Sequence, residues 1–388
     1  MPDCPPVANG GTSEVTPVAD ERSGRVSSID ALRGVAALMV VLFHLEGAIS
    51  RTASGWLWAP VESIVRHGYL GVDIFFVISG FVIALSVSRG APTIGYFGRF
   101  VVRRSIRLDP PYWVAIGLEL LLLLATQRLL PDREVVFPSG PQVAAHFLYL
   151  QELLGYGSIV TIFWTLCYEI QFYAFYVGLT VIRAYLPRPL RAGWIVVMCL
   201  AALFILSLWT RYWPPSWLPV GLAINRWFQF FIGVLTWRAI SDPRNSRTLY
   251  AAWIVLTAAV LLAQAPLYEL LTVAVSALVL GIVKFPSIGR PLRTRPLLFL
   301  GSISYSLYLF HTSVGWRFVS VTQLIWPGPW SPAMALATYA AGVVLCVVFS
   351  AVLWRLVERP LLALSRRVRL PLRADMPTQP TSHRSEVA

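Results

Sequence analysis

Lysine is almost absent from this chain: Lys284 is the single one, and every other basic residue is arginine. Charge of either sign is scarce, at 13% of 388 residues, against 56% hydrophobic residues and a mean hydropathy of +0.65. An ordinary soluble domain, with about a quarter of its residues charged, is excluded. Four cysteines, Cys4, Cys167, Cys199 and Cys346, lack the spacing of a disulfide scaffold or a zinc site. Five histidines with no close ligand pair give no metal centre. The first 25 or so residues lack the apolar core of a signal peptide and are polar, with Pro, Gly, Ser and Thr, which reads as a disordered tail over 1–28. No internal repeat and no second domain is visible.

What is present is a series of long apolar runs. Ten segments fit the length of a spanning helix, about 20 residues: 30–49, 68–88, 111–130, 159–182, 192–210, 220–239, 248–265, 267–284, 297–318 and 333–356. The basic residues alternate between loops. The even-numbered loops and the two ends hold 24 of them, while the other loops hold only Arg51, Arg66, Arg128, Arg133, Arg211 and Arg317. The positive-inside rule then puts both termini in the cytoplasm. The expected fold is an all-α polytopic bundle of about ten transmembrane helices, with a membrane domain over 29–362 and a basic disordered tail over 363–388. Pro266 marks a tight outer turn. In the long outer loop 131–158, "PQVAAHFLYLQELL" has the pattern of a short amphipathic helix on the outer interface.

Ionisable side chains are costly inside a bilayer and tend to face the bundle interior. "IDALRGVAALMVVLFHLEGAI" places Arg33 and His44 eleven residues apart, on one helical face and about 16 Å apart along the axis. Glu46 follows on the same span, with Asp73 on the second, Glu169 on the fourth, Arg226 on the sixth and His311 on the ninth. His44 and Glu169 both fall near mid-membrane depth, so they can meet. Polar and aromatic stripes, Thr165/Glu169/Phe172/Tyr176 and Gly301/Ser304/Tyr308/His311/Gly315, suggest a lined cavity. "YFGRFVVRRSIRLDPPYW" sets Arg99, Arg103 and Arg107 at helical spacing beside Arg104, a basic amphipathic helix at the cytoplasmic face that Pro110 and Pro111 stop. Each feature also has a purely structural reading. Arg33 can snorkel, His44 and His311 can be satisfied bundle histidines, Asp73 and Glu169 can brace arginines, and the arginine cluster can anchor to anionic lipid.

The combination resembles membrane-bound acyltransferase family 3, the O-acyltransferases of bacterial surface glycans and secondary metabolites. "LRGVAALMVVLFH" resembles its Arg-x10-His signature, on Arg33 and His44. "GVDIFFVISGF" is similar to its second-helix block, with Asp73, Phe76, Ser79 and Gly80. "RRSIRLDPPYW" resembles its Arg-x-x-Arg block on Arg104 and Arg107, with the departure that Asp109 precedes Pro110. "FWTLCYEIQFY" resembles the block carrying Trp164, Glu169 and Tyr173. "LGSISYSLYLFH" resembles the ninth-helix block with Ser304, Tyr305, Tyr308 and His311, and "VERP" the closing Glu-x-Pro, on Glu358 and Pro360. The six blocks run in family order from 29 to 360. Many relatives carry an appended extracytoplasmic hydrolase-like domain, and none is expected here.

The resemblance implies a multi-pass protein of a bacterial inner membrane and an acyl-CoA donor, acetyl-CoA foremost, arriving from the cytoplasm. It implies no permanently bound cofactor and no nucleic acid. Arg104 and Arg107, with Arg33 and Arg103, are the candidates to hold the coenzyme's phosphates. The Arg33–His44 spacing is comparable with the reach of its pantetheine arm. His44 is then the general base on the hydroxyl of a glycan or glycosylated metabolite, with Glu169 expected to orient its ring and Asp73 counted in the catalytic set. Trp164, Tyr173, Tyr305, Tyr308 and His311 are the candidates for substrate contact. The competing reading is a transporter that uses the intramembrane Arg, His, Asp and Glu as a substrate or proton pathway.

Overall fold

The computed structural model describes residues 17–371, apart from 92, 188–192, 220, 242–250, 252, 256–257 and 259–266. Among the described residues the regular elements are all helical. In chain order they are α1 (Pro17–Ile49), α2 (Ala59–Arg66), α3 (Gly71–Arg89), α4 (Ile94–Leu129), α5 (Gly140–Phe147) and α6 (Trp164–Tyr185). Then follow α7 (Gly193–Tyr212), α8 (Trp227–Ser241), α9 (Leu267–Lys284), α10 (Arg295–Ile325), α11 (Pro332–Leu353) and α12 (Arg359–Ser365). Six stretches are long and apolar enough to cross a membrane: Ser27–Ile49, Ala59–Ser88, Ile94–Leu129, Trp164–Tyr185, Arg295–Ile325 and Pro332–Ser365. The chain is therefore a multi-pass membrane protein. Three further expected spans coincide with α7, α8 and α9. The span expected at 248–265 and the turn at Pro266 lie mostly outside the described residues, as does the chain beyond 371.

Four local expectations change. Helix α1 begins at Pro17, inside the segment read as a tail; an established helix extends cheaply, one hydrogen bond per residue fixed. Helix α4 runs unbroken through Pro110 and Pro111, so the basic amphipathic segment and the third span are one 36-residue helix. Inside a bundle, neighbours can satisfy the backbone groups that proline disturbs; the carbonyls left without a helical donor are those of Ile106 and Arg107, next to the Leu108 carbonyl to which the Tyr305 hydroxyl donates at 2.8 Å. Helix α10 continues to Ile325, past the expected end of the span at 318, so Arg317 stands within the helix and not at its edge.

The fourth change concerns loop 131–158. Only Gly140–Phe147 is helical; most of the segment stays exposed, and the change is that three side chains turn inward, His146 and Gln151 fully buried and Tyr149 nearly so. Polar partners explain the inward turn. The His146 Nδ1–H donates to the Gln142 carbonyl (2.7 Å), and its Nε2 accepts from the Ile159 N–H (2.9 Å). Tyr149 donates to Asp109 (2.9 Å) and stacks on Tyr112, with ring centroids 4.7 Å apart. Asp109, which interrupts the family-like arginine block, thereby anchors this segment.

The bundle centre is aromatic. Phe230 of α8 stacks between Phe76 of α3 (4.6 Å) and Phe172 of α6 (4.4 Å), an arrangement that adds directional ring contacts to plain packing. Helices α1 and α10 approach closely, as do α3 and α8 at Gly80 and Gly233. A side chain on Gly34 would collide with the backbone of Leu300 and Gly301, and one on Gly301 with the backbone of Asp30 and Ala31. Small residues at a crossing let two membrane helices touch along their backbones.

Candidate active site

That crossing sets the site. Helices α1 and α10 run side by side, and Gly34 meets Gly301. Ten residues further along each helix stand His44 and His311, about 15 Å up the axis. They meet as well: His311 Nε2 lies 3.1 Å from His44 Nδ1, with ring centroids 5.0 Å apart. Hydrogen bonding fixes the neutral tautomers. The His311 Nδ1 faces the carbonyls of Tyr308 (2.8 Å) and Leu307 (3.2 Å), so it carries the proton and its Nε2 accepts. The His44 Nδ1 faces both that acceptor and the Val40 carbonyl (3.0 Å), so it too carries the proton. The lone pair of His44 is thus on Nε2, which has no hydrogen-bond partner among the described residues. Trp316 flanks the ring at 5.9 Å and donates its indole N–H to the His44 carbonyl at 3.1 Å.

On the arginine side of this pair lie two small pockets of about 40 and 50 Å³ that share Arg33, Ser79, Glu169 and Tyr305. Arg104, Arg107 and Tyr173 complete one; Phe75, Thr165, Ser304 and Tyr308 are in the wall of the other. Glu169 accepts from Ser79 at 2.6 Å and lies 3.7 Å from the Arg104 guanidinium; Tyr173 donates to Ser79 at 3.1 Å. Arg104 sits over the Tyr173 ring, 3.7 Å from its centroid. The Nε atoms of Arg104 and Arg107 are buried without a hydrogen-bond partner. An unpaired buried donor is costly, so these two groups are poised for an anion. Glu358, on a π-helical turn at Trp354–Glu358, accepts from Ser306 at 2.7 Å and faces Arg107 and Arg33. Single-turn π segments often mark functional positions.

On the other side of His44 opens a much larger vestibule of about 780 Å³ between the C-terminal ends of α1, α4 and α10. His44 is in its wall together with Phe43, Trp316, Arg317, Arg51 and Arg133. Tyr308, in the wall of the arginine-side pocket, has its hydroxyl hydrogen-bonded to Thr165 (2.8 Å) and its ring 5.9 Å from His311.

Two residues of the expected catalytic set have their contacts elsewhere than at His44. Glu169 is engaged with Ser79 and Arg104, and His311 takes the place beside the ring. Asp73 accepts from Arg226 (3.3 Å) and from Gln229, which ties α3 to α8; this is the bracing role. Trp164 packs on Phe76, Tyr168 and Arg226 and is in the wall of none of the three cavities. Arg103 is outside all three walls too. Glu46 turns away to Ser50 (2.5 Å) and Arg66 (3.3 Å). One ion pair was missed. Glu119 of α4, nearly buried, accepts from Arg317 (2.6 Å) and Ser313 (2.7 Å) of α10. A lone Glu in "VAIGLELLLLL" was the available signal.

The comparisons agree with this architecture. A family model described as an acyltransferase domain matches residues 26–355. The chain is 29% identical over 305 residues to the protein named "Putative membrane-bound transacylase BcsY" of Komagataeibacter xylinus, covering 74% of this chain and 72% of that one. It is 26% identical to the peptidoglycan O-acetyltransferase OatA of Listeria monocytogenes, covering 80% of this chain and 53% of that one. It is 27% identical to the exopolysaccharide production protein ExoZ of Rhizobium meliloti, covering 81% and 96%. The chain thus spans about half the length of the Listeria relative. No solved structure matches significantly.

Proposed function

This chain belongs to the acyltransferase-domain family, and from that premise we propose that it is a membrane O-acyltransferase that carries an acyl group from acyl-CoA to a hydroxyl of a glycan or glycosylated metabolite. The observation that carries the reading is the His44–His311 pair: His44 is in the vestibule wall, and Tyr308 of the arginine-side pocket has its ring 5.9 Å from His311. The loop charges support about ten spans with the arginine end in the cytoplasm and the vestibule outside. The donor's phosphates bind Arg104 and Arg107, whose Nε groups lack partners, with Arg33 at the mouth. The thioester arm runs along α1 towards His44. Pockets of about 40 and 50 Å³ are too narrow for it, so Phe75, Tyr305 and Tyr308 turn aside as it enters.

At the reacting end, His44 Nε2 takes the proton of the acceptor hydroxyl as its oxygen attacks the thioester carbonyl. The C–S bond breaks, and the coenzyme's sulfur leaves with the proton returned by the imidazolium. Throughout, the His44 Nδ1–H donates to His311 and Val40, which holds the ring and spreads the positive charge. His311 acts here as the positioning residue that Glu169 was expected to be, and Glu169 serves the donor side.

The test is labelled acetyl-CoA with the purified protein in nanodiscs, wild type beside His44→Ala. Label leaving CoA only with the wild type supports donor and base together. Near-normal turnover by His44→Ala sinks the catalytic assignment, and well-folded protein that binds no CoA revives the transporter reading.

A further inference from the structure

Arginine is rare at the vestibule end: the alternation of loop charges leaves six arginines there. Three of the six, Arg51, Arg133 and Arg317, line the single cavity wall that also contains His44. The other three do not join it. Arg66 is tied to Glu46 and Glu62, Arg211 lies over Phe228, and Arg128 is outside the wall; Arg51 and Arg133 are in the wall and solvent-exposed. Of the three in the wall, Arg317 is neutralised and held in place by Glu119 and Ser313. Arg51 and Arg133 have no acidic partner within salt-bridge distance among the described residues. Glu134 is the single other acid in the wall, so the vestibule keeps a net positive charge. The positive-inside bias works against arginine on this side, so topology does not account for the cluster.

Resting on the acyltransferase reading, we propose that the vestibule receives an acidic acceptor, a glycan that bears a carboxylate or phosphate, with Arg51 and Arg133 as the anion-binding pair. Arg51 follows His44 by seven residues, about 10 Å along the axis. The anion therefore sits on a sugar next to the one acylated, at the mouth, while the acylated ring lies deeper against Trp316. Arg suits both oxyanions because its planar fork binds them through paired hydrogen bonds.

The experiment uses the full-length protein in nanodiscs of neutral lipid. It measures direct binding of a glucuronate-containing oligosaccharide and of the same oligosaccharide after reduction of its carboxyl groups. A phosphorylated oligosaccharide and its dephosphorylated form make the second pair and distinguish the two anions. The acid of at least one pair should bind about tenfold or more tightly than its neutral partner. That preference should shrink with salt and disappear in Arg51→Gln/Arg133→Gln, with thermal unfolding of the variant as the folding control. Equal affinity within both pairs, or no measurable affinity for either acid, overturns the proposal. So does displacement of the acid by anionic phospholipid, which would assign the arginines to the bilayer. Binding is read without turnover, so a failure of the acyl-transfer reading in the His44→Ala assay stays separate from a failure here.

Discussion

The two sides of His44 differ in a way that separates holding from admitting. Towards Arg33 the space is cramped, about 40 and 50 Å³, and its charged groups stand close together: Arg104 beside Glu169, Arg107 near Glu358. Towards Arg51 the space is about 780 Å³, and two guanidiniums are free of acid partners. The cramped side has a short menu of hydrogen-bonding geometries and suits one donor with fixed chemistry. The roomy side suits a large acceptor held through few contacts. Selectivity for the donor is therefore expected to be strict and that for the acceptor broader, since a preorganised site rejects what leaves its polar groups unpaired.

The sharpest way to break this contrast is at the junction. His44→Ala should lower acyl transfer by about 10³-fold or more, measured as label released from acetyl-CoA. On the cramped side, Arg104→Gln with Arg107→Gln should raise the KM for acyl-CoA about 100-fold. Glu169→Gln should act on that same KM and leave the pH profile of kcat alone, because it contacts Arg104 and not His44. A shift in the pH profile would restore Glu169 as the partner of the base. At His311, replacement by Phe should cut kcat about 10- to 100-fold. His311→Gln should recover part of that, because an amide oxygen can still accept the His44 Nδ1–H. Equal loss in both variants would reduce His311 to packing.

The smallest expected effect lies in loop 131–158. Burial pushes the His146 imidazole below its ordinary value of 6.5, in keeping with a ring nitrogen that accepts from Ile159. Below pH 6.5 the unfolded chain gains this proton and the folded one resists it, so stability falls as pH drops. Thermal unfolding in nanodiscs at pH 7.5 and 5.5 should show a smaller pH dependence for His146→Gln than for the wild type.

Much of the site was legible in the chain itself. Arg33, Arg104, Arg107, Glu169, Tyr173, Tyr305 and Tyr308 do gather around the two small pockets. Asp73 was weighed as a brace or a catalytic group, and its contacts with Arg226 and Gln229 are those of a brace. The helix in loop 131–158 is shorter than its pattern suggested, and amphipathic spacing did not show which polar residues turn inward. His146, Tyr149 and Gln151 are ambiguous residue types until their partners Ile159, Asp109 and Tyr112 are seen. The prolines of α4 misled for a related reason: their cost falls on backbone groups, which a bundle tolerates better than an isolated helix does.

By itself the sequence determined which segments are apolar enough to enter a bilayer and roughly how deep each polar group sits. Both are sums along the chain, of hydropathy and of rise per residue. Tertiary structure alone decided who meets whom at a given depth. Glu169 was expected at the depth of His44, but depth by itself does not choose a partner. The choice was made by Gly34 and Gly301, which let α1 and α10 touch and bring His44 to His311. A lateral contact between helices more than 260 residues apart, here 267, leaves no trace in local pattern.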